Sequence, residues 1–241
     1  MVHIKPLEKP DLKVVKMNCD GIIHDKLATK YGPMVAEAFS TSSFNIICGT
    51  MGSGKSSLIT ALVKTVFRKC FESIYVFMPE NSRQSIENDI YGKHLPGDQL
   101  FDTLSEENIS SVYQRLQNDS KEGYHSLLII DDFQTQLKQP EINNVIKKIV
   151  TKMRHLRCTI FLLVQNWQSV PKPLRELVSN VITFNIGKSQ LEKLFIDSIQ
   201  INKHKYEQII DLCFKEKHDF MLINLNKSKS IYRNFDLVVL D

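Results

Sequence analysis

Apolar residues along this chain fall into two kinds of run, and the two kinds alternate. Short, nearly unbroken apolar runs lie at 44–48, 73–78, 127–130, 158–164 and 181–185. Each predicts a strand covered on both faces, because a half-exposed strand would alternate apolar with polar residues. Between them the apolar spacing changes to steps of three and four. Residues 57–63 open a helix, 106–121 place Ile109, Val112 and Leu116 on one side, and Ile142, Val145, Ile146, Ile149, Val150 and Met153 form the clearest stripe, with Lys147, Lys148 and Lys152 off it. A short helix near 174–178 and helical spacing over 190–214 follow, then strands at 219–224 and 230–235 around a polar turn at 226–229. Strands alternating with helices predict an α/β fold, a mostly parallel central sheet with helices on both faces. The domain is expected to span 44–241 and to end in helices and a β-hairpin. Residues 1–43, with Pro6, Pro10 and Pro33, read as an extended lead-in, and 80–104 as a surface excursion.

The junction between the first strand and helix is chemically specific. Gly49, Thr50, Met51, Gly52, Ser53, Gly54, Lys55 and Ser56 spell a complete phosphate loop, G-x-x-x-x-G-K-[ST], followed by Ser57. The glycines let the backbone curl so that successive N–H groups face a phosphate, while the helix directs its positive end at the same anion. Lys55 is placed to reach the β- and γ-phosphates and Ser56 to ligate Mg²⁺. The strand, loop, helix order expected of this motif is present. The motif predicts binding of ATP with Mg²⁺.

The third apolar run ends in two carboxylates. Asp131 occupies the position of the acid that supports Mg²⁺, and Asp132 is placed to polarise the water that attacks the γ-phosphate. A strand between the phosphate-loop helix and the acidic strand, together with the second acid, points to the additional-strand division of P-loop ATPases. Gln165 ends the next core strand, where its amide could contact the γ-phosphate or the attacking water; a solvent-facing loop glutamine is the bland alternative.

Composition narrows the setting. The 241 residues carry 31 Lys and Arg against 27 Asp and Glu, a net charge of +4, which permits nucleic-acid contact without requiring it. The five cysteines form no C-x-x-C pair and no zinc spacing, so they read as reduced core thiols of an intracellular protein. No apolar stretch is long enough to span a bilayer, and membrane contact is not expected.

The run 153–167, including Arg154, His155 and Gln165, and the following 170–175, ending at Arg175, resemble the genome-packaging ATPases of large nucleocytoplasmic DNA viruses and virophages, motors of the FtsK/HerA type. An Arg-His pair, a Gln-aromatic element and a Pro-x-x-Arg-like element occur in that family's order. The Asp131-Asp132 pair and a hairpin at 232–235 are also similar. The resemblance covers 44–236, and Arg157 departs from it as an extra basic residue. It implies a homo-oligomeric ring of five or six subunits that hydrolyses ATP to drive double-stranded DNA into a preformed viral capsid through a capsid or portal vertex. It further implies action inside the infected cell, in cytoplasmic virus factories, and association with the virion. In such rings an arginine from the neighbouring subunit completes the site, and Arg175, then Arg154, are the candidates. Other readings stay open on the residues alone: a related DNA translocase or helicase, a P-loop small-molecule kinase, or a nucleotide-gated scaffold.

Overall fold

The computed structural model describes residues 2–5, 39, 42–67, 69–86, 89–199, 203–225 and 230–240. The nucleotide motif lies where β2 (Phe44–Cys48) gives way to α1 (Lys55–Lys64). The chain then adds β3 (Ser73–Phe77), two five-residue helices α2 (Glu80–Gln84) and α3 (Ile90–His94), and the two-residue β4 (Leu100–Phe101). Next come α4 (Glu106–Lys121), β5 (Ser126–Asp131), α5 (Pro140–Lys152), β6 (Cys158–Val164), α6 (Lys172–Arg175) and β7 (Asn180–Phe184). Helices α7 (Lys188–Ser198) and α8 (Lys203–Cys213) lead to β8 (Phe220–Asn224), β9 (Ile231–Arg233) and β10 (Asp236–Leu240), while β1 (Val2–Lys5) comes from the other end of the chain.

The ten strands among the described residues join one sheet, in the order β1-β10-β9-β8-β7-β2-β6-β5-β3-β4. The six from β7 to β4 run parallel, and β8, β9, β10 and β1 continue the sheet antiparallel. Because β2, β5 and β6 are parallel, their carboxyl ends, and hence the phosphate loop, Asp131 and Gln165, come to one edge. The strand inserted between β2 and β5 is β6, which follows both in sequence. The strand that sequence order places between the two motifs, β3, lies on the far side of β5. The additional-strand class therefore holds, through a different strand from the one the sequence order suggested.

The unbroken apolar character of the central strands is explained by a core on each face. In β5, Leu128 and Ile130 pack with Ile109, Val112 and Leu116 of α4 and with the α5 stripe. Leu127 and Ile129 face Leu58, Ile59 and Leu62 of α1 on the opposite side. Burial of both faces leaves no room for alternation in the sequence.

Three boundaries differ from expectation. The lead-in expected over 1–43 contributes a strand, with Val2 opposite Leu240 and Lys5 opposite Leu237; residues 6–38 lie outside the described part. The last predicted strand stops at Arg233. Asn234 and Phe235, at φ 46° and 73°, turn the chain directly into β10 as a two-residue hairpin whose strands pair Arg233 with Asp236. The helical spacing over 190–214 resolves into α7 and α8, and the turn at 226–229 lies outside the described residues.

Candidate functional site

Two glycines of the phosphate loop answer to different demands. A Cβ on Gly49 would crowd the Phe184 ring at 3.0 Å and displace the Ser53 hydroxyl, and Gly54 takes φ 111°, a left-handed conformation that L side chains rarely adopt. From Gly54 the chain enters α1, which leaves the first-turn N–H groups directed at whatever the loop encloses. The Lys55 Nζ donates to the carbonyls of Gly49 at 2.8 Å and Thr50 at 3.1 Å, folded along the loop. Thr50, Met51 and Ser57 are exposed; Met51, at 84%, stands at the tip of the loop.

Ser56 and Asp131 meet across the sheet edge. The Ser56 Oγ donates to the Asp131 Oδ2 at 2.8 Å, and Asp131 is only 2% exposed. Burial pushes the Asp131 carboxyl up to about 6, Asp132 adds to the rise, and the Ser56 hydrogen bond and Lys55 oppose it. Burial likewise lowers the Lys55 amine, against the pull of Asp131 and Asp132. Both charges are thus held in a dehydrated place, where a phosphate beside the lysine and a divalent cation beside the carboxylate would favour the ionised forms. Paired hard oxygen donors, one hydroxyl and one carboxylate, suit Mg²⁺.

Asp132 follows in a left-handed conformation, φ 63°, an unusual posture that turns its side chain out of the strand direction. Its Oδ1 accepts from the Gln165 Nε2 at 2.8 Å, so the ends of β5 and β6 are joined by a side-chain bridge. A cavity of about 390 Å³ is lined by Gly52, Lys55, Ser56, Asp131, Asp132 and Gln165 together. The far wall of the cavity is α2, through Asn81 and Ser82, with Ser85 just past its end. This segment belongs to 80–104, expected from the sequence to be a surface excursion, and instead walls the site. The usable signal was its place immediately after β3, whose carboxyl end must lie on the site edge of a parallel sheet.

The two arginines lie elsewhere. Arg175 forms an ion pair with Asp197 and stands over the Trp167 ring, its Cζ 5.6 Å from the centroid; its side chain is 16% exposed. Trp167 Nε1 donates to the same Asp197 carboxylate at 2.8 Å, giving a clamp between α6 and α7. Arg154 is exposed in the turn that precedes β6, at the edge of the sheet opposite the phosphate loop, and does not reach this chain's own site.

His218 was also missed. On the turn before β8, its Nδ1 lies 3.1 Å from the Ser53 carbonyl oxygen, so the C-terminal hairpin region touches the phosphate loop. A lone histidine 165 positions away carries no local signal of that contact.

A sheet with β6 between the loop strand and the acidic strand, with Lys55, Ser56, Asp131 and Asp132 at one edge, defines a P-loop NTPase of the additional-strand class. The chain belongs to the Poxvirus A32 protein family, whose model matches residues 35–232. It is 27% identical over 155 residues to the DNA packaging protein OPG160 of Variola virus and to that of Vaccinia virus, covering 62% of this chain and 55% of each relative. The chain thus spans about half the length of the curated relatives it matches. Among solved structures it is similar to the DNA-packaging ATPase B204 of Sulfolobus turreted icosahedral virus, with TM-score 0.61 and 19% identity over 80% of this chain and 97% of that one. The B204 NTPase of Sulfolobus turreted icosahedral virus 2, in complex with ATP-gammaS, gives TM-score 0.59 and 17% identity over 80% and 96%. At these identities the structural likeness establishes the fold.

Proposed function

We propose that this chain is the ATP-hydrolysing motor of viral DNA packaging. The observation that carries the reading is the joined pair of contacts at the sheet edge, Ser56 to Asp131 and Asp132 to Gln165, facing a phosphate loop in a member of the Poxvirus A32 family. The names of the matched relatives, DNA packaging proteins and a genome packaging NTPase, support the choice of DNA as the moved substrate.

In this mechanism the loop N–H groups and Lys55 hold the triphosphate and take up charge that grows on it as the γ-phosphoryl group departs. Ser56 and Asp131 would hold Mg²⁺, which would supply charge neutralisation to the triphosphate. Asp132 accepts the proton of the attacking water, and Gln165 fixes the carboxylate that does so. The oxygen of water joins phosphorus, the bridging bond to ADP breaks, and inorganic phosphate leaves.

The site is open to solvent at Met51 and Asp132, which suits completion by a neighbouring copy in a ring of five or six. An arginine delivered there in trans would be the finger. Double-stranded DNA is the proposed cargo and a capsid or portal vertex the docking partner, inside the infected cell and in its virus factories. Among the described residues no helix is long and apolar enough to cross a membrane.

The test is the ATPase rate of the protein alone, with double-stranded DNA and with single-stranded DNA at one low salt concentration, with Lys55→Ala as blank. Stimulation by double-stranded DNA is the expected result. Turnover indifferent to either DNA would overturn the motor reading.

A further inference from the structure

Along the site edge of the sheet the elements follow in order: the phosphate loop after β2, Gln165 after β6, Asp131 and Asp132 at the end of β5, and α2 after β3. A triphosphate whose β-phosphate lies in the loop directs its γ-phosphate toward Asp132, and the next wall it meets is α2. The two carboxylates repel the γ-phosphate oxygens, which makes donors on the opposite side of the cavity effective. Asn81 and Ser82 stand there, on the cavity that Lys55, Asp131 and Asp132 line from the other side. Asn81 is exposed and Ser82 half-buried, so both side chains are open to a ligand. An amide and a hydroxyl donate hydrogen bonds without adding charge.

Asn81, Ser82 and Ser85 lie at i, i+1 and i+4, on one face of α2 and the residue after it. Arg83, two steps from Asn81, projects about 200° away around the axis. Its guanidinium reaches Asp89 at 3.5 Å and Asp102 at 3.3 Å, and its side chain is 16% exposed. Asp89 caps α3 by accepting from the Tyr91 and Gly92 N–H groups, both at 3.0 Å. Tyr91 is 1% exposed and belongs to the same core as Leu58, Ile59 and Leu62 of α1. A line of contacts thus ties α2 to the helix that carries Lys55 and Ser56, and Arg83 is its link on the side away from the cavity. The Gln84 amide and the Ser85 hydroxyl are engaged within the segment, donating to Glu80 at 3.0 Å and to the Ser82 carbonyl at 2.6 Å. The donors that α2 offers the cavity are those of Asn81 and Ser82.

We infer that Asn81 and Ser82 of α2 donate to the γ-phosphate and so distinguish a triphosphate from a diphosphate, and that Arg83 is the positioning residue that holds them there. The inference rests on the phosphate-loop reading proposed above. The loop N–H groups cradle the β-phosphate, which ATP and ADP share. Contacts from α2 exist for ATP alone and are lost when inorganic phosphate leaves. A hydrogen bond to a charged group contributes about tenfold or more in affinity.

Isothermal titration of the full chain with ADP and with the non-hydrolysable triphosphate AMPPCP, each with Mg²⁺, tests this. Asn81→Ala and Ser82→Ala are each expected to weaken AMPPCP about tenfold and ADP less than about twofold. Arg83→Gln is expected to act in the same sense, and Arg83→Lys, which keeps the charge, to restore part of the loss. Asn81 is exposed, so its variant serves even if an Arg83 variant does not fold. The inference is overturned if ADP weakens as much as AMPPCP in the Asn81 and Ser82 variants, or if both variants bind AMPPCP as the native chain does. Arg83→Gln weakening the two ligands equally would overturn its positioning role. Failure of the phosphate-loop reading looks different: Lys55→Ala would then bind both ligands as the native chain does.

Discussion

The Gln165 amide donates to the Asp132 carboxylate at 2.8 Å, and through that contact the ends of two neighbouring strands act on one group. Asp132 has left-handed backbone geometry and an exposed side chain, so without Gln165 its carboxylate would be free to rotate. Asp132→Asn, which removes the proton acceptor and keeps the shape, is expected to lower kcat by about 10²- to 10⁴-fold. Gln165→Ala is expected to lower it by about 10- to 100-fold. Neither should shift nucleotide affinity by more than about twofold, since neither side chain holds the β-phosphate. Steady-state hydrolysis beside equilibrium nucleotide binding measures both; loss of affinity in parallel with rate would reassign Gln165 to nucleotide binding.

Arg175 offers a choice between two roles with separable readouts. Its guanidinium is committed to Asp197 and lies over Trp167, within one chain. Truncation leaves Asp197 with the Trp167 N–H and without its cation. Arg175→Ala is therefore expected to lower the unfolding free energy by about 2 kcal/mol and Tm by about 4–8 °C. Thermal unfolding and DNA-stimulated ATPase rates, measured on the same preparation, decide the case. A rate collapse with Tm unchanged would make Arg175 the finger that acts on the neighbouring site.

What could be read from the sequence was whatever depends on neighbours in the chain. The phosphate loop is contiguous, β5 announces itself by an apolar run that ends in two acids, and the α5 stripe reappears as Ile142, Val145, Ile146, Ile149 and Val150 buried on the sheet. Features that depend on distant partners were not legible. The pairing of Val2 with Leu240 spans the whole chain. Helices α2 and α3 are five residues each, too short for an apolar stripe, and α3 is instead marked by Asp89, which caps it through the N–H groups of Tyr91 and Gly92. The turn at Asn234 and Phe235 lacks the glycine that normally signals such a hairpin. It is held by bonds the sequence does not announce: Asn234 Nδ2 to Asp219 Oδ1 at 2.5 Å and the Phe220 N–H to Asn234 Oδ1 at 2.9 Å.

The four cysteines among the described residues should be inert in the folded protein. Cys48, Cys70, Cys158 and Cys213 are buried, and burial pushes the thiols of Cys48 and Cys213 up to about 12 and raises that of Cys158 as well. The thiolate is the reactive form, so modification by Ellman's reagent at pH 8 is expected to be at least about a hundredfold slower at these positions than in urea. Peptide mapping of the modified sites checks this. Fast native labelling of Cys48 would mean that the end of β2 opens beneath the phosphate loop.

Asp219 makes stability depend on pH in a predictable sense. It is 5% exposed, and besides the Lys215 and Glu216 N–H groups and Asn234 it accepts from Arg233 Nη2 at 2.8 Å. Burial alone would raise its carboxyl, but the hydrogen bonds from Asn234, the Glu216 N–H, Arg233 and the Lys215 N–H outweigh that and hold it below the ordinary 3.8. A carboxyl lowered on folding binds protons more readily in the unfolded chain, so its contribution is full above about pH 5 and is lost as pH falls through the unfolded value toward the lowered one. Asp219→Asn leaves Arg233, whose side chain is 19% exposed, without its anion. The variant is expected to be less stable by about 2–4 kcal/mol at pH 7, and the difference should shrink steadily between about pH 5 and pH 3. Urea unfolding of both proteins across that range isolates the residue, because the other carboxylates are common to both. A difference that stays constant with pH would show that Asp219 acts through shape and hydrogen bonding alone, with its charge contributing nothing to the hold on the turn that brings His218 to the phosphate loop.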